Sequence, residues 1–149
     1  MEGFSPAADK NKGAILTVLA EWLPQPAKLL EIGSGAGQHA IHMAAALNHV
    51  LWQPTDVATV LPMLTSNISE YGAANILSPT ALDLATQEWP GQTYDCVYSA
   101  NVMHIVSTEL GENLIRGAAK MLTADGMLAL YGPFKYAGNF TSSSNADFD

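Results

Sequence analysis

Short apolar runs recur along this chain and predict buried strands. The clearest are KLLEIG, VLWQPT, YDCVYSA and MLALYG, and NILSPTAL is a weaker fifth run. Runs of this length without strict alternation are typical of strands that are covered on both faces, as in a parallel sheet. Pro79 interrupts the weak run and places it at an edge of the sheet, because proline cannot donate a ladder hydrogen bond.

Helical spacing of apolar residues separates these runs. The first helix is predicted to begin at Ser5-Pro6 and to end before Pro24, and QHAIHMAAAL is a second helix, rich in small residues. Two more helices are predicted over 56–71 and 107–123, after which Asp125-Gly126 predicts a turn. Alternating strands and helices predict an α/β domain over 1–149, with a Rossmann-like, doubly wound, mostly parallel sheet, helices on both faces, and a polar tail over 135–149.

Composition limits the functions that fit this chain. Its 149 residues are enough for one domain with a buried core, and 14 acidic against 6 basic residues give a net charge of −8. This charge argues against nucleic acid or an anionic membrane as a partner, because both attract basic surfaces. The single cysteine, Cys96, allows no internal disulfide, and neither a secretion signal nor an apolar run of about 20 residues is found. We therefore expect a cytoplasmic protein.

Three glycines stand within five residues directly after the first predicted strand, in LLEIGSGAGQHA. Glycine permits a positive φ and close approach of a ligand to the backbone, and doubly wound sheets bind ligands after this strand. The spacing Gly33-x-Gly35-x-Gly37 is one residue tighter than the G-x-G-x-x-G of dinucleotide sites. Glu31 precedes the loop, where a carboxylate would repel a pyrophosphate but attract the ammonium and sulfonium groups of S-adenosylmethionine.

Two further acids follow predicted strands. Asp56 ends the second strand, where a carboxylate can accept both ribose hydroxyls. Asp83 follows the third strand and can accept the adenine amino group, while Asp56 as a helix cap and Asp83 as a solvated loop acid are the alternatives. Because three acidic strand ends in register rarely arise by chance, we predict an S-adenosylmethionine site. The predicted cofactor contacts are Glu31, Gly33, Ser34, Gly35, Gly37, His39, Asp56, Leu82, Asp83, Leu84 and Asn101.

Longer motifs resemble a known family. EIGSGAG, then Asp56, then Leu82-Asp83, then YDCVYSANVMH resemble the class I S-adenosylmethionine-dependent methyltransferases over most of the chain. More narrowly, SPAADKNK, LEIGSGAGQHAIHMA, LWQPTD, SANVMHI and LYGPF are similar to a methyltransferase-like family that has only a domain-of-unknown-function label, although Lys10 stands where that family usually has arginine. The resemblance implies methyl transfer. It also implies further strands after the fifth, so we expect this chain to lack the last strands of that fold.

Residues outside the glycine loop are candidates for the acceptor side of the site. Asn101 and His104 follow the fourth strand, and we take both as catalytic candidates. His104 is the candidate general base, although a histidine packed over the cofactor fits equally. Asn11 and Lys12, in the polar lead-in, and Tyr131, after the fifth strand, are predicted contacts at the cofactor or substrate mouth.

Three functions stay open at this point. We favour methyl transfer to a small-molecule or protein acceptor, with a homodimer as a candidate assembly. A module that binds S-adenosylmethionine without turnover is the alternative, and a nicotinamide-dependent oxidoreductase is disfavoured by the tight glycine spacing and Glu31. His39 and His42 have metal-ligand spacing, but no further ligand clusters with them in the sequence, so no metal is predicted.

Overall fold

The structure, a computed structural model, describes residues 1–86, 88–100 and 108–132. Helices and strands alternate along these ranges, as the apolar pattern predicts. None of the described helices combines the length and the apolar character that crossing a membrane requires. The elements are α1 (Pro6–Trp22), β1 (Ala27–Glu31), α2 (Gln38–Ala46), β2 (Val50–Asp56), α3 (Leu61–Tyr71), β3 (Thr80–Ala81), β4 (Tyr94–Ala100), α4 (Thr108–Met121) and β5 (Leu122–Tyr131).

The strands form one parallel sheet in the order β3-β2-β1-β4-β5. Chain order reverses between β1 and β4, which are neighbours through the pairs Leu29 with Cys96 and Glu31 with Tyr98. Ligands of doubly wound sheets bind beyond the carboxyl ends of the strands at such a switch point. The predicted fold class is confirmed, and the glycine loop after β1 lies at the switch point.

Each face of the sheet carries its own core, because successive strand residues point to opposite faces. On one face, Leu29, Trp52 and Tyr98 pack with α1 and α2. On the other face, Leu30 and Val97 pack with α4. All five side chains are completely buried. Coverage of both faces explains why the strands are continuous apolar runs in the sequence.

The predicted start of α3 is wrong. The helix begins at Leu61 rather than at Asp56, because Asp56 still belongs to β2 and pairs with Ala81. A turn follows, in which Val60 N donates to Val57 O at 3.0 Å. The carboxylate at the end of β2 is therefore held by the strand and is separate from the helix.

The predicted turn at Asp125-Gly126 is also wrong, because both residues lie within β5. β5 begins at Leu122, directly after α4 ends, and Leu122 pairs with Tyr94. The next pair is Met127 with Cys96, so four residues of β5 lie between two pairs that are two residues apart in β4. The turn-forming dipeptide thus lies within an irregularity of the β-bulge type, with paired residues on both sides.

β2 contains a proline, Pro54, although it lies between two strands. Trp52 bonds to the backbone that precedes β3, since its carbonyl accepts from Leu77 N at 2.9 Å. Pro54, two residues further on, lacks an N–H on that same side. The Gln53 side chain supplies a donor there, because its Nε2 donates to Ser78 O at 2.9 Å. The third strand, predicted as a weak edge strand, is accordingly two residues long at the edge of the sheet.

Two helix glycines differ in their surroundings, which yields a packing prediction. A methyl group on Gly117 of α4 would overlap the Trp89 indole, whereas one on Gly13 of α1 would meet no heavy atom within 4 Å. We expect Gly117→Ala to lower the free energy of unfolding by about 1–3 kcal/mol. Gly13→Ala should raise it by about 0.5–1 kcal/mol, because alanine is the better helix former. Urea unfolding measures both, and equal effects would contradict the packing of Trp89 on α4.

Candidate functional site

Three acidic residues and the glycine loop meet in one cleft at the carboxyl edge of the sheet. Glu31 ends β1, Asp56 ends β2 and Asp83 follows β3 by two residues. They converge because the carboxyl ends of parallel strands share one edge. The cleft has a volume of about 630 Å³. The predicted site residues that line it are Glu31, Gly33, Ser34, Gly35, His39, Asp56, Leu82, Asp83 and Leu84.

The glycine loop needs its glycines for two different reasons. Gly33, Gly35 and Gly37 have φ values of 72°, 58° and 88°, which favour glycine. A Cβ on Gly35 would meet no heavy atom within 4 Å, so the loop is open there. A Cβ on Gly37 would lie 3.0 Å from Leu64 Cδ1 and 3.2 Å from Ile68 Cδ1, both on α3. Gly35 thus leaves room beside the backbone for a ligand, whereas Gly37 allows α3 to pack.

Hydrogen bonds around Ser34 fasten the loop to β2. Ser34 N donates to Thr55 O at 2.8 Å, and Thr55 N donates back to Ser34 Oγ at 3.1 Å. The hydroxyl in turn donates to Glu31 Oε1 at 2.8 Å. Since Ser34 Oγ accepts from Thr55, its own proton is directed at the carboxylate. These bonds therefore fix the loop to the ends of both β1 and β2.

Asp56 holds the loop from the end of β2. Its Oδ2 accepts from Gly35 N at 2.8 Å, and its Oδ1 accepts from Val57 N at 2.7 Å. Asp56 does not cap α3, whose N-cap is Val60. Each carboxylate oxygen keeps a second acceptor site, so this side chain can bind a pair of hydroxyls while it holds the loop.

Glu31 is a buried carboxylate at the floor of the cleft. Its Oε1 accepts from Ser34 Oγ at 2.8 Å and from Trp52 Nε1 at 3.0 Å. Burial raises the pKa of Glu31 to about 7, against the two hydrogen bonds, which lower it, and the nearby Asp56 charge raises it further. Within the described part of the chain, its Oε2 has no hydrogen-bond partner. A cation in the cleft would favour the ionised form of this group.

His39 connects α1, α2 and β4 at the wall of the cleft. Its Nε2 lies 2.9 Å from Asn11 Oδ1 and 3.1 Å from Ala8 O, and its Nδ1 lies 2.9 Å from Tyr98 Oη. Because a backbone carbonyl can only accept, Nε2 is the protonated nitrogen, and Tyr98 donates to Nδ1. Burial lowers the pKa of His39, in keeping with a neutral ring. Its role as a cofactor contact stays a prediction.

The residues predicted at the mouth lie beside the cleft lining. Asn11 is bonded to His39, and Lys12 Nζ forms an ion pair with Asp9 Oδ1 at 2.6 Å. Tyr131 ends β5 in register with Ala100. Whether these side chains contact a ligand remains a prediction.

The two catalytic candidates, Asn101 and His104, lie outside the described residues, and so does the polar tail over 135–149. Their roles, including Asn101 as a cofactor contact and His104 as a general base, therefore stay predictions.

Sequence reasoning missed several cleft residues near the amino terminus. Gly3, Ser5 and Ala8 line the cleft, together with Met63 from α3. In this lead-in only the polar side chains of Asn11 and Lys12 were predicted as contacts, and these small residues were not. The available signal was Gly3, a glycine just before a helix start, which adopts φ 76°. A Cβ there would come within 2.6 Å of Met63 Sδ.

Comparison with known families gives one assignment. A family model with the description "Protein of unknown function (DUF938)" matches residues 2–149. The chain belongs to this family. That description states no activity for this DUF938 protein.

Solved structures share the fold of this DUF938 chain. SibL, described as an S-adenosylmethionine-dependent methyltransferase in its apo form, matches 91% of this chain and 39% of its own, with a TM-score of 0.75 and 20% identity. PKMT2 from Rickettsia typhi, in complex with AdoHcy, matches 70% of this chain and 20% of its own, with a TM-score of 0.60 and 22% identity. At such identities the likeness concerns the fold.

A curated relative is also similar in sequence. The highly reducing polyketide synthase sorA from Penicillium rubens is 30% identical over 122 residues, which cover 74% of this chain and 5% of the synthase. The DUF938 chain thus spans less than half the length of each of these three relatives.

The raised pKa of Glu31 makes stability depend on pH. A folded pKa of about 7, against an ordinary value of 4.5, means that the folded state holds its proton more tightly than the unfolded state. Stability from this group is fully present below pH 4.5 and is lost as pH rises to about 7, by up to ~3 kcal/mol. Without ligand, the wild type should therefore lose stability relative to Glu31→Gln between pH 5 and 8. Urea unfolding across this range is the measurement, and a constant difference would contradict the raised pKa.

Proposed function

We propose that this protein is an S-adenosylmethionine-dependent methyltransferase whose cofactor occupies the cleft beside the glycine loop. The observation that carries the proposal is the buried Glu31 carboxylate, which lines the cleft. A buried carboxylate, whose ionised form a cation favours, suits a ligand whose reacting end carries an ammonium and a sulfonium group. The fold shared with SibL and with the AdoHcy-bound PKMT2 supports the same ligand.

The other cleft residues fit the nucleoside part of this cofactor. Asp56 retains acceptor sites for the two ribose hydroxyls while it holds Gly35. Asp83 uses Oδ1 to accept from its own turn, at Ala85 N, which leaves the other carboxylate oxygen for the adenine amino group. Leu82 and Leu84 are almost fully buried and provide an apolar wall for the ring.

A dinucleotide fits this cleft less well. Its pyrophosphate carries negative charge and is usually met by helix N–H groups and cations. Among the described residues that line the cleft, none is lysine or arginine, whereas Glu31, Asp56 and Asp83 are acids. The charges of the cleft therefore disfavour a nicotinamide cofactor.

In this proposal the chain's own residues position the cofactor and place a carboxylate beside it. When bound, S-adenosylmethionine supplies a methyl group activated by its positive sulfur. Ser34 and Asp56 fix the glycine loop, and Glu31 places a charge next to it. An acceptor must approach in line, about 3 Å from the methyl group. We propose a small-molecule or protein acceptor, with Asn101 and His104 on the acceptor side and His104 as a base.

The test of this function is ligand choice, measured by calorimetry. AdoHcy should bind and NAD should not, because only the first avoids placing phosphates beside Glu31 and Asp56. Binding of NAD in preference to AdoHcy would overturn the proposal. Binding of AdoHcy with no methyl transfer across metabolite and peptide pools would instead identify a module that holds the cofactor without turnover.

Asp56 offers a quantitative test of the ribose site. Asp56→Ala should weaken AdoHcy binding by about 1.5–3 kcal/mol, the usual scale for hydrogen bonds to a charged group. Asp95→Ala is the matched control, because Asp95 Oδ2 also accepts a backbone bond, from Lys28 N at 2.9 Å, at the other end of the sheet. The control should bind AdoHcy like the wild type. Equal affinities of all three proteins, measured by calorimetry, would remove Asp56 from the site.

A further inference from the structure

Residues 1–5 form a strap that lies beside the cleft and contacts α2 and α3. Gly3 and Ser5 line the same cleft as Glu31 and Asp56. The strap contributes little apolar burial, because Met1 and Phe4 are exposed, Phe4 to 54%. Segments with few buried contacts open more readily than the core around them. What holds the strap in place is therefore the hydrogen bonding of its backbone.

Asn67 of α3 joins the strap to the glycine loop. Its Nδ2 donates to Glu2 O at 2.8 Å and to Ala36 O at 3.0 Å. Ala36 lies within the loop, between Gly35 and Gly37. The Asn67 side chain is 3% exposed, so its amide is shielded from competing water. One buried amide group thus fixes two segments that are otherwise far apart in the chain.

Gln38 makes a second connection at the first residue of α2. Ser5 N donates to Gln38 Oε1 at 2.6 Å, and Gln38 Nε2 donates to Ser5 O at 3.2 Å. Between the bonds to Asn67 and to Gln38, the strap packs closely against Met63 of α3 and Ala36 of the glycine loop. A Cβ on Gly3 would lie 2.6 Å from Met63 Sδ and 3.2 Å from Ala36 Cβ.

We propose that Asn67 is a positioning residue that couples the strap to the glycine loop, so that the strap must detach before the nucleoside product leaves the cleft. This inference rests on the proposed function for the identity of the product, AdoHcy. Because the same amide holds Ala36 in the loop and Glu2 in the strap, a ligand that orders the loop also favours the closed strap. Detachment breaks hydrogen bonds to Glu2 and Ser5 while exposing little apolar surface.

The first experiment measures the dissociation rate of AdoHcy by stopped flow. Asn67→Asp keeps the size of the side chain but replaces the donor with an acceptor, and it should speed dissociation about 10-fold, the scale of one to two hydrogen bonds. Asn75→Asp is the matched control, because Asn75 Nδ2 also donates only to backbone carbonyls, those of Ala44, Leu47 and Val50. The control should release AdoHcy at the wild-type rate. Equal acceleration in both variants would mean general loosening and would overturn the proposal.

The second experiment has a labelling part that needs no ligand, and it also covers the case in which Asn67→Asp fails to fold. Val57→Cys places a thiol in the cleft, and the native Cys96 is fully buried, with a pKa raised to about 12, so it gives little background. Deletion of residues 2–4 should speed maleimide labelling of this thiol. It should also speed AdoHcy release.

The outcomes separate the two proposals. Unchanged labelling after the deletion would overturn the proposal that the strap covers the cleft, whether or not AdoHcy binds. Faster labelling with unchanged release would overturn the coupling to product departure. Failure of the wild type to bind AdoHcy would overturn the proposed function, while the labelling arm would still decide whether the strap covers the cleft.

Discussion

The carboxylate of Glu31 lies at the buried end of the central strand, where ionisation of a carboxyl group is unfavourable. The residues around it donate hydrogen bonds that partly offset this unfavourable free energy. The Trp52 indole and the Ser34 hydroxyl both donate to it. Trp52 also packs edge-on against Tyr98, with ring centroids 5.8 Å apart, and Tyr98 bonds to His39. Three strands and the helix after the glycine loop therefore meet around one acid. Burial still outweighs these bonds in its pKa, so the hydrogen bonds of the described residues offset the cost of ionisation only in part.

Side chains hold much of the backbone around the cleft, in addition to backbone bonds such as that from Ser34 N to Thr55 O. Loops that leave the carboxyl ends of strands have no ladder of their own, and each needs partners for its exposed N–H and C=O groups. Ser34, Asp56, Asn67 and Gln38 provide those partners, each bonding to main-chain atoms of another segment. A few polar side chains thus help to fix the shape of the cleft, and some of these need not touch a ligand at all.

The sheet and the acidic edge of the cleft could be predicted because both follow from local patterns. Apolar runs identify parallel strands, and an acid at the end of each run must lie at the common edge, as Glu31 and Asp56 do. The contacts of the amino terminus could not be predicted in this way. Asn67 bonds to Glu2, 65 residues away, and neither residue is distinctive in sequence.

The turn expected at Asp125-Gly126 failed for a related reason. The turn propensity of the dipeptide depends on its own sequence, whereas the pairing of β5 with β4 on both sides of it is a tertiary interaction. The pairing keeps both residues within β5. The same holds for the start of α3, which was predicted at Asp56, because pairing with β3 keeps Asp56 in the strand that it was also predicted to end.

Pro54 has a consequence beyond the local hydrogen bonding of β2. The β3 edge is one of the two edges of the described sheet at which a foreign strand could add, because edge strands offer unpaired backbone groups. Leu51 and Leu77, 45% and 38% exposed, lie close to this edge and would add apolar attraction to such pairing. A proline in β2 and a two-residue β3 interrupt the ladder that an incoming chain would extend. The irregular backbone at this edge thus works against aggregation.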